Sequence, residues 1–428
     1  MSSEPVLATL LPDTAVLSEH GVSIGGVDLR GLAETYGTPL FVYDEATLRA
    51  RCAEAARAFD DGVAFASKSF LCGAIARLAF EEGLCVDVAT EGELDIVRRA
   101  GVPAARIIVH GNNKSVDEIE RAIDEGVHRL VVDNFEEIGQ LRSRVSPLRP
   151  LNVLVRVTPG VEAHTHEYVR TGQEDTKFGF SIASGDARRA IDALAATPGV
   201  RLHGVHAHIG SQIFEVVGFR ESMRVLAEFT RDDDFDELCV GGGLGVAYVE
   251  GESAPSITEW ARAVRDAASA SGLRDGVRIL AEPGRAIVAQ AAVTLYRVGV
   301  VKPVARRTYM VVDGGMSDNP RPVLYGSGYE AFDVDHPLAR RPQAVRLVGK
   351  HCESGDVVID EASLPSATVA GSIVATPVTG AYGYSMASNY NRVPRPAVVF
   401  VRDGAARLVL RRETFDDLAR LEVGEPSP

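Results

Sequence analysis

Between about residue 40 and residue 290 the chain alternates short β-branched apolar runs with longer stretches whose apolar positions recur at helical spacing. That order is the signature of parallel βα units. Eight strands are predicted, at GVAFASK (62–68), CVDVAT (85–90), RIIVHGN (106–112), RLVVDN (129–134), NVLVRV (152–157), LHGVHAHIG (202–210), ELCVGGG (237–243) and VRILAEPG (277–284). The first four are each followed by a helical pattern closed by Gly or Pro, as in CGAIARLAFEEG, GELDIVRRAG and VDEIERAIDEG. Glycine is expected to cap such helices in the left-handed region. Eight units of this kind close into a (β/α)8 TIM-type barrel, which makes the fold class α/β.

The texture changes after residue 290. Runs such as AAVTLYRVGVV, TYMVVDGG, QAVRLVG, PAVVFVRDG and ARLVLRRE alternate and are separated by Gly and Pro, which predicts a second, mostly antiparallel β domain. The pattern therefore assigns 36–290 to the barrel and 1–35 with 291–428 to the β-rich domain, with runs such as VSIGGVDL adding strands to the latter. One barrel unit is interrupted: about forty residues separate Arg156 from the next strand, and an insertion of that length reads as a lid or binding loop. It includes GVEAHTHEYVRTGQEDTKFGF, whose HTH at 164–166 has no third ligand at suitable spacing, so no metal site is expected.

Polar or unusual residues cluster at the C-terminal ends of the predicted strands: Lys68, Asp87, His110 with Asn112, Asp133 with Asn134, Arg156, His208, Gly241 to Gly243, and Glu282. In a (β/α)8 barrel that face carries the active site. The pattern therefore points to an enzyme.

Composition narrows the partners. The 45 Lys and Arg against 59 Asp and Glu leave a net charge of −14, which argues against nucleic acid or an anionic membrane as partner. No apolar run is long enough to span a bilayer and the N-terminus carries no signal pattern, so the reading is cytoplasmic. Five widely spaced cysteines contain no CxxC pair and predict no disulfide framework.

Each candidate chemical group has a plainer alternative. Lys68 in AFASKSF could be an amine desolvated for Schiff-base chemistry, or a strand-end lysine reaching solvent. Three glycines in CVGGGLG bare their backbone N–H groups to an anion such as phosphate, or simply supply the φ freedom of a tight turn. Glu282 in LAEPGRA could hold a pyridinium nitrogen protonated, or pair with Arg285 at the surface. His208 in HAHIGSQ could stack on a flat cofactor with Ser211 donating to its phosphate, or be a satisfied core histidine.

Taken together and in this order, AFASKSF, HAHIGSQ, CVGGGLG and LAEPGRA resemble the fold-type III, alanine-racemase-like decarboxylases that use pyridoxal 5'-phosphate. The segments VDGGMSDNPRPVLYG (312–326), GKHCESGDVV (349–358) and TGAYGYSMASNYN (379–391) extend the resemblance to the diaminopimelate decarboxylase branch. The match covers roughly residues 36 to 400 and is specific because it needs many separate motifs.

The resemblance implies that Lys68 carries the cofactor as a Schiff base, His208 stacks on its ring, Ser211 and the backbone of Gly241, Gly242 and Gly243 hold its phosphate, and Glu282 meets its ring nitrogen. Tyr382 would also contact it, with Asp87 and Arg156 lining the cofactor near Lys68 and the ring hydroxyl. Arg285, Arg321 and Tyr325 would meet substrate carboxylates. Cys352, as proton donor, and Glu353 would come from the partner subunit of a homodimer with shared sites. A buried structural thiol is otherwise the usual reading of a single cysteine such as Cys352.

The implied reaction is decarboxylation of meso-2,6-diaminopimelate to L-lysine. Its alternatives are a decarboxylase of ornithine, arginine or carboxynorspermidine, a racemase on the same barrel, and a catalytically silent regulator. Glu282 in place of a cationic partner speaks against the racemase, and the joint presence of Lys68, His208, Glu282 and Cys352 speaks against silence.

Overall fold

A computed structural model describes residues 6–161 and 176–424. The 164–166 HTH and most of the predicted lid lie outside the described residues. The chain divides into two compact units, one of residues 49–246 and 253–287, the other of 1–48, 247–252 and 288–428.

The first unit is the barrel. Its strands are Ala64–Ala66, Cys85–Val88, Ile107–Val109, Arg129–Val132, Leu151–Thr158, Val200–His206, Glu237–Cys239 and Arg278–Leu280, all parallel and each hydrogen-bonded to its sequence neighbours. The ring closes between first and last strands: Ala64 N donates to Ala281 O at 3.0 Å and Ala281 N to Gly62 O at 2.9 Å. A two-residue strand, Phe180–Ser181, pairs alongside the fifth. Every strand but the sixth contributes one residue to a single buried cluster of Ala64, Cys85, Ile108, Val131, Leu154, Cys239 and Leu280. This packed interior leaves chemistry to the strand ends.

Local sequence explains where the helices stop and start. Helix Val116–Glu125 begins on a capping box of Ser115 and Glu118 and ends on Gly126 at φ 66°, as its VDEIERAIDEG pattern predicts. In helices Gly73–Glu81 and Glu91–Arg99 the left-handed glycines, Gly83 and Gly101, fall one residue beyond the cap.

A buried ion pair joins the starts of the fourth and seventh strands, where Arg129 donates to both oxygens of Glu237 at 2.8 Å. Both side chains are sequestered, and Arg129→Met leaves Glu237 with only the longer 3.4 Å contact from the more exposed Arg278. We expect Arg129→Met to cost about 3–5 kcal/mol, and Arg129→Met combined with Glu237→Leu to recover most of that. Denaturant unfolding of the two variants checks this; equal losses would show that the pair carries no such coupling.

The second unit is built on a mixed, mostly antiparallel sheet. Its long strand Ala292–Val304 pairs antiparallel with Arg307–Val312, Leu40–Asp44 and Ile373–Pro377. Two parallel pairings, of Leu40–Asp44 with Ala397–Arg402 and of Arg307–Val312 with Gln343–Val348, make it mixed. One sequence expectation is corrected here. Residues 36–48, which the pattern gave to the barrel, lie in this unit, because Leu40–Asp44 finds its hydrogen-bond partners in this sheet. The N-terminal strands Val16–Ser18, Gly21–Ile24 and Val27–Asp28 belong to this unit and form their own antiparallel meander. No helix among the described residues is long and apolar enough to cross a membrane.

Candidate active site

Within the barrel unit, the C-terminal strand ends gather one electrostatic cluster around Glu282. This residue follows the eighth strand and is buried. Its two oxygens receive the Nε2 atoms of His110, at 3.0 Å, and His206, at 2.9 Å. Burial works to raise the Glu282 carboxyl, but the charge and hydrogen bonds of His110 and His206 hold it well below the ordinary carboxylate range. Burial in turn pushes His206 down to about 4, with Glu282 opposing, so its imidazole is neutral at neutral pH and donates through Nε2.

Neither His110 nor His206 was given a role from the sequence. A signal existed, since His206 and His208 are two apart at a strand end and therefore share a face. The three groups around Glu282 are of metal-ligand type and lie within 4.8 Å of one another. Yet a nitrogen that donates its proton to Glu282 has no lone pair left for a metal.

His208 is fixed by a different contact. Gly242 N donates to its Nδ1 at 3.2 Å, which places the imidazole proton on Nε2, and burial holds the ring well below its usual pKa. The result is a flat, neutral ring held in one orientation. The glycines beside it are required by space: a Cβ on Gly241 would lie 2.4 Å from Ala207 O, on Gly242 2.2 Å from Glu282 O, and on Gly243 2.3 Å from Gly210 O. Gly241 and Gly243 also sit at φ 68° and 111°. The glycine run is thus a tight turn that admits no side chain, with Gly241 N donating to Cys239 Sγ at 3.4 Å and Gly242 N to His208.

Ser211 and Arg285 stand together, with Arg285 Nη2 donating to Ser211 Oγ at 2.9 Å. Arg285 is buried, contrary to the surface-pair alternative.

Lys68 lies on the short 3-10 turn Ser67–Ser69 just beyond the first strand. It is exposed, which corrects the expectation of an amine desolvated by its strand. Its charge acts on both Asp87 and His208. Asp87 is buried at the second strand's end, and burial raises its carboxyl to about 6 against the opposing pull of His110 and Lys68. Arg156 stacks 4.3 Å from the Phe178 ring centre and lies 3.8 Å from Asp133.

The residues present fit pyridoxal 5'-phosphate. A glycine turn, a hydroxyl and a guanidinium form an anion-binding donor set. An ionised buried carboxylate complements a protonated ring nitrogen, and an amine stands nearby.

The other predicted residues belong to the β unit. Arg321 opens the short helix Arg321–Tyr325 and is buried, with Nη1 donating to Tyr329 Oη at 2.6 Å. Its guanidinium carbon lies 4.1 Å from the Tyr248 ring centre and 5.5 Å from that of Tyr329. Sequence reasoning missed both tyrosines, which sit in no recognisable motif spacing. Tyr382, at φ 58°, is near enough to act on the Arg321 charge. Tyr325 is half-buried at the helix end.

Cys352 and Glu353 are exposed, whereas Cys52, Cys72, Cys85 and Cys239 are buried. The buried-thiol reading therefore fails for Cys352 alone.

Comparison with known proteins places these features in context. Residues 45–289 match the family model described as the pyridoxal binding domain of pyridoxal-dependent decarboxylases. The chain is 47% identical to the diaminopimelate decarboxylase of Mycobacterium tuberculosis H37Rv, over 96% of this chain and 97% of the relative. Against that of Bacillus subtilis 168 the figures are 45%, 96% and 98%. Among solved structures, the M. jannaschii diaminopimelate decarboxylase in complex with L-lysine superposes with a TM-score of 0.89 at 31% identity, covering 97% of this chain and 98% of that one.

Proposed function

This chain belongs to the diaminopimelate decarboxylase family of pyridoxal-dependent decarboxylases, and on that premise we propose that its barrel mouth converts meso-2,6-diaminopimelate to L-lysine and CO2, the last step of lysine biosynthesis. The observation that carries the reading is the buried Glu282 carboxylate held ionised by His110 and His206. When bound, pyridoxal 5'-phosphate supplies a conjugated ring that takes up the electron pair left on Cα as CO2 departs.

The chain's own residues do the rest. Lys68 holds the cofactor covalently, while Ser211, with the backbone of Gly241, Gly242 and Gly243, binds its phosphate. His208 covers one ring face, and Glu282 keeps a proton on the ring nitrogen, which favours losing CO2 over simple proton exchange. Asp87, Arg156 and Tyr382 line the cofactor. Arg285, Arg321 and Tyr325 pair with substrate carboxylates, and Glu353 with the distal ammonium. A substrate that carries a carboxylate and an amine at its far end needs charges of both signs there; ornithine or arginine does not. The Cys352 thiol returns a proton to Cα. Incubating the holoenzyme with meso-diaminopimelate, ornithine, arginine and carboxynorspermidine while following CO2 tests the choice, and lysine release must accompany CO2 with the first alone.

The exposure of Cys352 and Glu353 supports a homodimer in which each hairpin serves the partner's barrel, and the kinship with bacterial biosynthetic decarboxylases supports a cytoplasmic place for it. Mixing inactive Lys68→Ala chains with inactive Cys352→Ala chains should then regenerate activity, because each mixed dimer holds one site with both lesions and one with neither. With random exchange about half the dimers are mixed, so recovery should reach roughly a quarter of wild type. No recovery despite demonstrated subunit exchange would return Cys352 to its own chain's site.

A further inference from the structure

We propose that Asp356 is the positioning residue that fixes where the hairpin tip presents Cys352 and Glu353. The inference rests on the reading of Cys352 as proton donor. Asp356 ends the tight hairpin 349–356 and is buried, while Cys352 and Glu353 at its tip are exposed. One carboxylate oxygen accepts Met316 N at 2.6 Å and the other accepts His351 N at 2.8 Å. The Asp356 backbone closes the same hairpin, accepting Gly349 N at 3.0 Å and donating to Glu353 O at 3.1 Å.

The neighbouring glycines are shaped around this carboxylate. A Cβ on Gly315 would fall 2.4 Å from one carboxylate oxygen, and a Cβ on Gly349 2.2 Å from the other. Gly315 also adopts φ +149°, where side chains are disfavoured. Met316 lies in the segment that leads to Arg321, and His351 immediately precedes Cys352. One side chain therefore ties the strand of sequence bearing the substrate-side arginine to the hairpin bearing the thiol. The tip has lighter tethers: Cys352 N donates to Asn391 Oδ1 at 3.1 Å, and His351 Nε2 meets Ser317 Oγ at 2.9 Å.

Both oxygens are needed. Asparagine offers one acceptor, and its NH2 would face a backbone N–H, so one of the two tethers must open.

The test uses the full-length holoenzyme, comparing wild type, Asp356→Asn and Cys352→Ala. Three quantities are read: kcat and KM for meso-diaminopimelate, thermal midpoint, and the rate of iodoacetamide alkylation followed by intact mass. The four other cysteines are buried, so Cys352 reports alone. Displacement of the thiol by an ångström or so should lower kcat about 10- to 10²-fold in Asp356→Asn, at a temperature well below its midpoint, and should change the Cys352 alkylation rate several-fold.

Wild-type kcat and alkylation rate, whatever the midpoint, would make Asp356 structural only. A lowered kcat with unchanged alkylation also overturns the proposal, since the hairpin has then not moved. Undiminished turnover in Cys352→Ala removes the proton-donor reading instead, and altered alkylation in Asp356→Asn would still support the positioning role. Should Asp356→Asn not fold, Asp356→Ser carries the same comparison, being smaller and likewise limited to a single side-chain oxygen.

Discussion

Replacing Lys68 by alanine is expected to abolish the visible absorbance of covalently held cofactor and to lower turnover by about 10³-fold or more, since the covalent attachment is lost outright. The local structure explains why no neighbour can substitute. Lys68 projects from the turn just past the first barrel strand, where its charge already acts on Asp87 and His208. Lys114, at the same end of the barrel, is consumed by structure: its Nζ donates to Gly111 O at 2.6 Å, Val131 O at 2.7 Å and Glu137 Oε2 at 3.1 Å, all in a buried setting. Borohydride reduction followed by peptide mass mapping checks the assignment. A stable cofactor adduct on another lysine, with turnover near wild type, would overturn it.

Glu282→Gln should bind the cofactor yet slow the carbanion-forming step by about 10²- to 10³-fold, roughly 3–4 kcal/mol of lost electrostatic stabilisation. The geometry predicts more than a lost charge. His110 and His206 each direct a nitrogen at one oxygen of Glu282, and a glutamine amide must turn its NH2 toward one of them, so that imidazole has to reverse its tautomer. Stability should report the same contact through pH. The folded Glu282 carboxyl titrates below its ordinary value of 4.5, so its stabilising contribution is complete above 4.5 and is lost as pH falls through the depressed folded value. The difference in unfolding free energy between wild type and Glu282→Gln should therefore stay level from neutrality to about 4.5 and shrink in more acid solution. A variant with wild-type turnover would reduce Glu282 to a structural role, and a flat difference down to strongly acid pH would remove the hydrogen-bonded carboxylate as its cause.

How much of this was legible depended on whether the deciding contact was local. Strand–helix alternation and capping are short-range, so all eight barrel strands and the helix from Ser115 to Gly126 could be read directly from residue order. Residues at the strand ends were legible for the same reason: once the strands are placed, Asp87, His208 and Glu282 must sit at one end of the barrel. Leu40–Asp44 was not, because an apolar run followed by a helical pattern looks the same whether the strand joins the barrel or pairs with Ala292 some 250 residues on.

The chain order alone therefore determined the two architectures, the candidate lysine, carboxylate and glycine turn, and the acidic balance that disfavours nucleic acid. Only the tertiary structure decided which side chains meet. It brought His110 and His206 onto Glu282, stacked Tyr248 and Tyr329 on Arg321, exposed Lys68 and Cys352, and buried Asp356 between two glycines. Each of these joins residues distant in sequence or depends on how closely backbones approach, and no periodicity of polar and apolar positions encodes either, because side-chain contact and burial are set by the closed barrel and the folded sheet.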